Sequence, residues 1–119
     1  MMQVDILMCT FRRPAVVDAL RSLDAQEVPG DVQLRIIVAD NDETPSARDD
    51  VEAAAATMTT PVQYVHAPAR NISIARNACL DAATGDWVAF IDDDETAPPA
   101  WISNLMAQTG GVDAVFGPA

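Results

Sequence analysis

At 119 residues, half of them hydrophobic, the chain has the length of one domain with a real core, which excludes a disordered or fibrous protein. A formal charge of −11 argues against nucleic acid or an anionic membrane as partner. All seven basic residues are arginines, and without lysine there is neither a Walker-type phosphate loop nor Schiff-base chemistry. Apolar runs are too short to span a bilayer, and the first residues lack a basic region followed by an apolar one. The expectation is a soluble cytoplasmic domain, at the inner face of the membrane if a longer protein carries it there. Cys9 and Cys79 are too few and too far apart for a zinc site or a C-x-x-C redox pair, and both read as buried free thiols.

Gln3 to Thr10 is apolar at its centre and predicts a first strand, followed by Phe11, Arg12 and Arg13. Pro14 suits a first helical turn, and Val16, Val17, Leu20 and Leu23 give that helix one apolar face as far as about Gln26. After the turn Pro29-Gly30-Asp31, Leu34 to Ala39 predicts a second strand with Asp40-Asn41-Asp42-Glu43 at its carboxyl end. Thr44 and Pro45 read as N-cap and first residue of a helix through Val51, Ala54, Ala55 and Met58. Pro61 to His66 is a third strand, and His66, the only histidine, reads as a strand-end residue rather than a ligand. Asn71 or Ser73 is placed to cap a helix with Ile72, Ala75, Cys79 and Ala82 on one side, which Gly85 ends in a left-handed conformation.

The run Trp87-Val88-Ala89-Phe90-Ile91 leads directly into Asp92-Asp93-Asp94-Glu95. Five uninterrupted apolar residues predict a strand buried on both faces, as in a parallel sheet covered by helices. The four acids then fall beyond its carboxyl end, where open α/β sheets place their ligands. They repel one another until a cation neutralises them, and hard oxygen ligands suit Mg²⁺ or Mn²⁺ with a substrate phosphate completing the shell. In an extended segment Asp92 and Asp94 point the same way, so D-x-D sets two carboxylates on one ion. The alternative is an acidic loop capping the next helix, with Thr96 as N-cap and Pro98 near its first position, running to about Gln108. Gly110-Gly111 breaks that helix, and Val112 to Phe116 predicts a last short strand.

The alternation of strand and helix predicts an α/β fold, a mostly parallel sheet of about five strands with helices on both faces. Right-handed crossovers gather Thr10, Asp40 and Asp92–Asp94 at one edge, near Asn71 and Arg76.

Four segments, C-T-F-R-R-P (9 to 14), V-A-D-N-D (38 to 42), N-I-S-I-A-R-N (71 to 77) and F-I-D-D-D-E (90 to 95), resemble in order and spacing the nucleotide-binding half of a family 2 glycosyltransferase with the GT-A fold. The first and second are similar to the forms found in bacterial enzymes of exopolysaccharide and cell-surface glycan synthesis. The resemblance implies transfer from a nucleotide-diphosphate sugar, a UDP-sugar by preference, to a glycan or lipid-linked acceptor, with Mg²⁺ or Mn²⁺. It implies Thr10 and Phe11 beside the nucleobase, Asp40 accepting the uracil N3–H, Asn71 and Arg76 near the nucleotide, and Asp92 and Asp93 towards ribose and metal. Asp94 is the main metal ligand on that pattern. Arg12 and Arg13 are placed to approach the diphosphate.

Each assignment has a structural alternative. Phe11 packs under the following helix, Asp40 caps the next one through an Asx turn, Arg76 pairs with Asp81 one turn away, and the two arginines are merely solvated. An inverting transfer also needs a carboxylate base on the acceptor side, which the resemblance places beyond Ala119, so the chain is expected to be the amino-terminal part of a longer enzyme and inactive alone. A strand at Val112–Phe116 would then leave an unpaired edge and a route to a homodimer. Competing functions are a haloacid-dehalogenase-like phosphatase, from the D-x-D-x-T match at Asp92, and a non-catalytic nucleotide-binding or interaction module.

Overall fold

The computed structural model describes residues 2–28, 30, 32–68 and 72–104. Their order is β1 (Met2–Thr10), α1 (Val16–Asp24), β2 (Val32–Asp40), α2 (Arg48–Thr57), β3 (Val62–His66), α3 (Ile72–Ala82) and β4 (Trp87–Phe90), and a further helical turn follows at 101–104. The described strands form a single four-stranded sheet in the order β3-β2-β1-β4, parallel at every pairing, where the sequence predicts about five. The strand expected at Val112–Phe116, with the homodimer edge built on it, lies outside the described residues. Asn71 does too.

Alternation along β1 and β2 builds a core on each face of the sheet. Val4, Ile6 and Met8 join Ile36 and Val38 beneath α1 and α2, with Leu20, Leu23 and Val51 from the helices and Trp101 and Ile102 from the last turn. Leu7, Ile37 and Ala39 face the other way, onto Ala75 and Cys79 of α3. Burying an aliphatic side chain of this size contributes about 1.5–3 kcal/mol, so these two layers hold the sheet. The apolar run before the acids is less buried than predicted. Ala89 and Ile91 are buried, but Trp87, Val88 and Phe90 are half-exposed, because β4 has a described neighbour on one side only.

One ion pair sits inside this core. Asp5 and Arg35 are cross-strand partners in register, Asp5 is fully buried, and the guanidinium meets its carboxylate at 3.0 and 3.2 Å. The amides of Thr84 and Gly85 donate to the same carboxylate at 2.8 Å. Gly85 is therefore needed for close approach and not for a left-handed turn. A Cβ there would stand 2.9 Å from the Gln3 carbonyl oxygen and 3.0 Å from the Asp5 carboxyl carbon.

The local capping signals are overridden by distant groups. Thr44 and Pro45 do not open α2, which begins at Arg48. Thr96 does not cap the last helical turn. The Gln26 side chain does, its Oε1 accepting the Ile102 amide at 2.9 Å while its Nε2 donates to the Pro98 carbonyl at 2.7 Å.

Candidate functional site

Parallel register brings the strand ends level. Thr10 pairs with Asp40 and Asp40 with His66, so three side chains from three strands start the carboxyl edge of the sheet. Leu7 pairs with Phe90, which carries Asp93 to the level of Thr10, and the Thr10 hydroxyl donates to Asp93 Oδ2 at 2.9 Å. Arg13 reaches the same carboxylate at 3.2 Å and Asp94 at 3.7 Å. Burial raises the Asp93 carboxyl above the ordinary range, against the lowering pull of Thr10 and Arg13.

Asp92, Asp94 and Glu95 turn together instead. Each offers an oxygen, and the three oxygens lie within 4.8 Å of one another. Glu95 Oε1 is buried and has no hydrogen-bond partner among the described residues. A buried acceptor without a donor is costly, and a hard divalent cation held by three carboxylate oxygens removes that cost. The donor set therefore fits Mg²⁺ or Mn²⁺. Within the run of four acids, the residues predicted as D-x-D ligands converge, Glu95 joins them, and Asp93 is drawn away to Thr10 and Arg13.

Asp40 is placed at the edge but faces inward. It is fully buried, Oδ1 accepts the Asp42 amide at 3.1 Å, and Oδ2 accepts the Ala47 amide at 3.0 Å and the Tyr64 hydroxyl at 2.5 Å. Those donors fix the 40–42 turn and the start of α2, the role of an Asx cap. Burial and then the bond to Asp40 raise the Tyr64 hydroxyl far above its ordinary range. The next residue is the one left open. Among the described residues Asn41 Oδ1 is buried without a partner, and Asn41 belongs to a cavity of about 180 Å³ lined by Cys9, Thr10, Phe11, Arg13 and Asp93. The sequence places Asn41 at this strand end without marking it as the open side chain. A side chain one residue past an inward-facing strand end points to the opposite side, and that alternation was the available signal.

Phe11 stands free of α1, 51% exposed, with the Arg12 guanidinium 5.3 Å from its ring centroid. Arg12 itself adopts a φ of 49°, a left-handed backbone uncommon outside glycine. Its side chain pairs with Asp42 at 2.8 and 3.2 Å, away from the acidic cluster, and with Ser46 holds the Asp42 carboxyl well below the usual range. Arg13 is thus the arginine nearer the acids. Arg76, on the exposed side of α3, lines a cavity of about 100 Å³ with Cys9, Phe90, Asp92 and Asp93, and among the described residues it makes no ion pair with Asp81. His66 closes β3 and bonds through Nε2 to the Asp42 carbonyl oxygen at 2.8 Å. A larger cavity of about 520 Å³ lies at the opposite edge, among Asp24, Gln33, Arg35 and Thr60, where the polar groups serve internal hydrogen bonds.

Residues 5–117 match the sequence profile described as Glycosyl transferase family 2. The chain belongs to that family. A curated family relative, the succinoglycan biosynthesis protein ExoM of Rhizobium meliloti (strain 1021), is 52% identical over 98% of this chain and 38% of its own length. The chain thus spans little more than a third of that protein. Among solved structures, the mannosyltransferase PcManGT from Pyrobaculum calidifontis, in complex with GDP-Man and Mn²⁺, superposes with a TM-score of 0.82 at 24% identity over 92% of this chain and 32% of its own. A segment of S. aureus TarS in complex with UDP-GlcNAc gives 0.66 at 21% identity over 91% and 31%. These likenesses establish the GT-A fold for this family 2 chain. No helix among the described residues is long and apolar enough to cross a membrane.

Proposed function

We propose that this chain is the nucleotide-sugar-binding part of a glycosyltransferase that uses a UDP-sugar and a divalent cation for inverting transfer to a glycan or lipid-linked acceptor in cell-surface polysaccharide synthesis. The observation that carries the reading is the juxtaposition, at one sheet edge, of a three-carboxylate cluster, an unpartnered amide oxygen and an exposed aromatic ring. The name of the ExoM relative and the nucleotide sugars of the two structural neighbours support it.

Asp92, Asp94 and Glu95 would hold Mg²⁺ or Mn²⁺, and when bound the ion neutralises the diphosphate as the leaving group departs. Phe11 offers one face on which the nucleobase stacks, the other being covered by the Arg12 guanidinium. Asn41 offers the oxygen that accepts the uracil N3–H, and Asp40 acts one step back by fixing the turn that carries Asn41. Asp93, held by Thr10, lies between base and metal and is assigned to the ribose, while Arg13 and Arg76 border the two small cavities where phosphate oxygens would lie. Asn71 keeps its assignment near the nucleotide from the motif alone.

Titration calorimetry with UDP, CDP and GDP, each with Mn²⁺ and in EDTA, tests the proposal. The expected result is tighter UDP binding with Mn²⁺, and loss of that dependence in Asp94→Ala with an unchanged melting temperature. Equal UDP affinity in EDTA and in Mn²⁺, for wild type and variant alike, would overturn it.

A further inference from the structure

Cys9 and Cys79 take no part in the chemistry assigned above, yet the fold sets them together. Cys9 is the next-to-last residue of β1 and packs against the layer that includes Cys79 from α3. Cys79 is completely buried, its thiol directed at the carbonyl oxygens of Met8 at 3.6 Å and Ile37 at 3.8 Å. Met8 is the neighbour of Cys9 in β1, so the Cys79 thiol lies against the peptide that leads into Cys9. Cys9 is only half-buried and lines two cavities of the carboxyl edge, of about 180 and 100 Å³. One sulfur is therefore open to small solutes, and a second, sheltered one packs in the same layer beneath it.

We propose that Cys9 is an oxidation site resolved by Cys79, so that a hydroperoxide closes a Cys9–Cys79 disulfide beneath the carboxyl end of β1. The Cys9 sulfur attacks one peroxide oxygen, the O–O bond breaks, and the Cys9 thiol becomes a sulfenic acid while the other oxygen leaves as water. The Cys79 sulfur then attacks the Cys9 sulfur, the S–O bond breaks, and the hydroxyl leaves with the Cys79 proton as a second water. Two thiols lose two electrons, and one hydrogen peroxide is reduced to two waters. A cavity of about 180 Å³ has ample room for a molecule the size of hydrogen peroxide, since a water occupies ~30 Å³.

The bond would tie α3 to β1 one turn after Arg76, which borders the same cavity as Asp92 and Asp93. Oxidation would thereby fix the position of an arginine at the site. Formation of the bond does not depend on which nucleotide the edge accepts, so it stands or falls separately from the proposed function.

The test is to treat the purified protein with hydrogen peroxide, alkylate remaining thiols in denaturant, cleave after arginine and weigh the peptides. The expected product is a linked pair, residues 1–12 with 77–119, that separates on reduction with dithiothreitol. In Cys79→Ala the same treatment should leave a Cys9 sulfenic acid that dimedone captures. Wild-type protein whose two peptides stay unlinked, whether the thiols are untouched or Cys9 is carried on to sulfinic acid, would overturn the proposal. So would a linkage found only between Cys9 residues of two chains. The wild-type result decides alone should the variant fail to fold.

Discussion

On the proposed function, two adjacent side chains at the end of β2 divide structural from binding work, and they should separate experimentally. Asp40→Ala removes the acceptor for the Ala47 amide and leaves the Tyr64 hydroxyl unpaired. Loss of such a cap costs ~1 kcal/mol and an orphaned buried donor ~1–3 kcal/mol, so a substantial fall in melting temperature is expected. Asn41→Ala removes no hydrogen bond between its carboxamide oxygen and the described residues. It should leave the melting temperature unchanged and weaken UDP binding by about 1 kcal/mol, roughly fivefold. Parallel melts and calorimetry check both, and an Asn41→Ala protein that binds UDP as the wild type does would return base recognition to other groups. The place of the acids and of Phe11 at the carboxyl edge was legible in the sequence, because apolar periodicity sets where each strand ends. Which of two consecutive polar residues faces the core was not legible, since either side chain of Asp40-Asn41 satisfies a turn, and only the positions of Ala47 and Tyr64 decide.

At the scale of elements, the strands and helices followed from periodicity, and their ends were misplaced where a distant residue supplies the cap. Gln26 stands 76 residues from the amide it caps, and Asp40 displaces the local Thr44 signal by three-dimensional proximity. The Asp5–Arg35 pair was equally hidden, although two charges inside apolar strands at matching positions are a sign of cross-strand pairing. That pair makes Gly85 a packing residue. In Gly85→Ala the new methyl group meets a backbone oxygen and a carboxylate held by Arg35, neither of which can swing away. The expected cost is ~1–3 kcal/mol, typical of overpacking. Gly30→Ala meets nothing within 4 Å and serves as the control. Urea midpoints for the two variants that fall by the same amount would show that the approach at Gly85 is relaxed in solution.

For the molecule as a whole, 18 acidic against seven basic residues set two opposing responses to acid. Between neutral pH and about pH 4, protonation relieves the general repulsion of a chain carrying −11, which favours the compact state. Below that, specific carboxylates dominate. Burial alone would raise Asp5, but Arg35 and the amides of Gly85 and Thr84 outweigh it and hold the group low. Burial likewise opposes, and Thr60 and Thr59 overcome, at Asp24, while Arg12 and Ser46 depress Asp42. A carboxyl whose folded pKa is depressed contributes stability above its unfolded value, near 3.8, and that stability is lost as pH falls through the folded pKa. Stability should therefore rise slightly from neutral pH, reach a maximum in mild acid and drop steeply below about pH 4. Salt separates the two branches. At ~0.1 M the screening length is about 10 Å, enough to flatten the upper branch, whereas the Asp5 carboxylate is fully buried against Arg35 and keeps the lower one. Urea midpoints across this pH range should accordingly show a lower branch that persists in salt and becomes shallower in Asp5→Asn, which cannot titrate at that position. A lower branch as steep in Asp5→Asn as in the wild type would assign the acid response to the surface carboxylates instead.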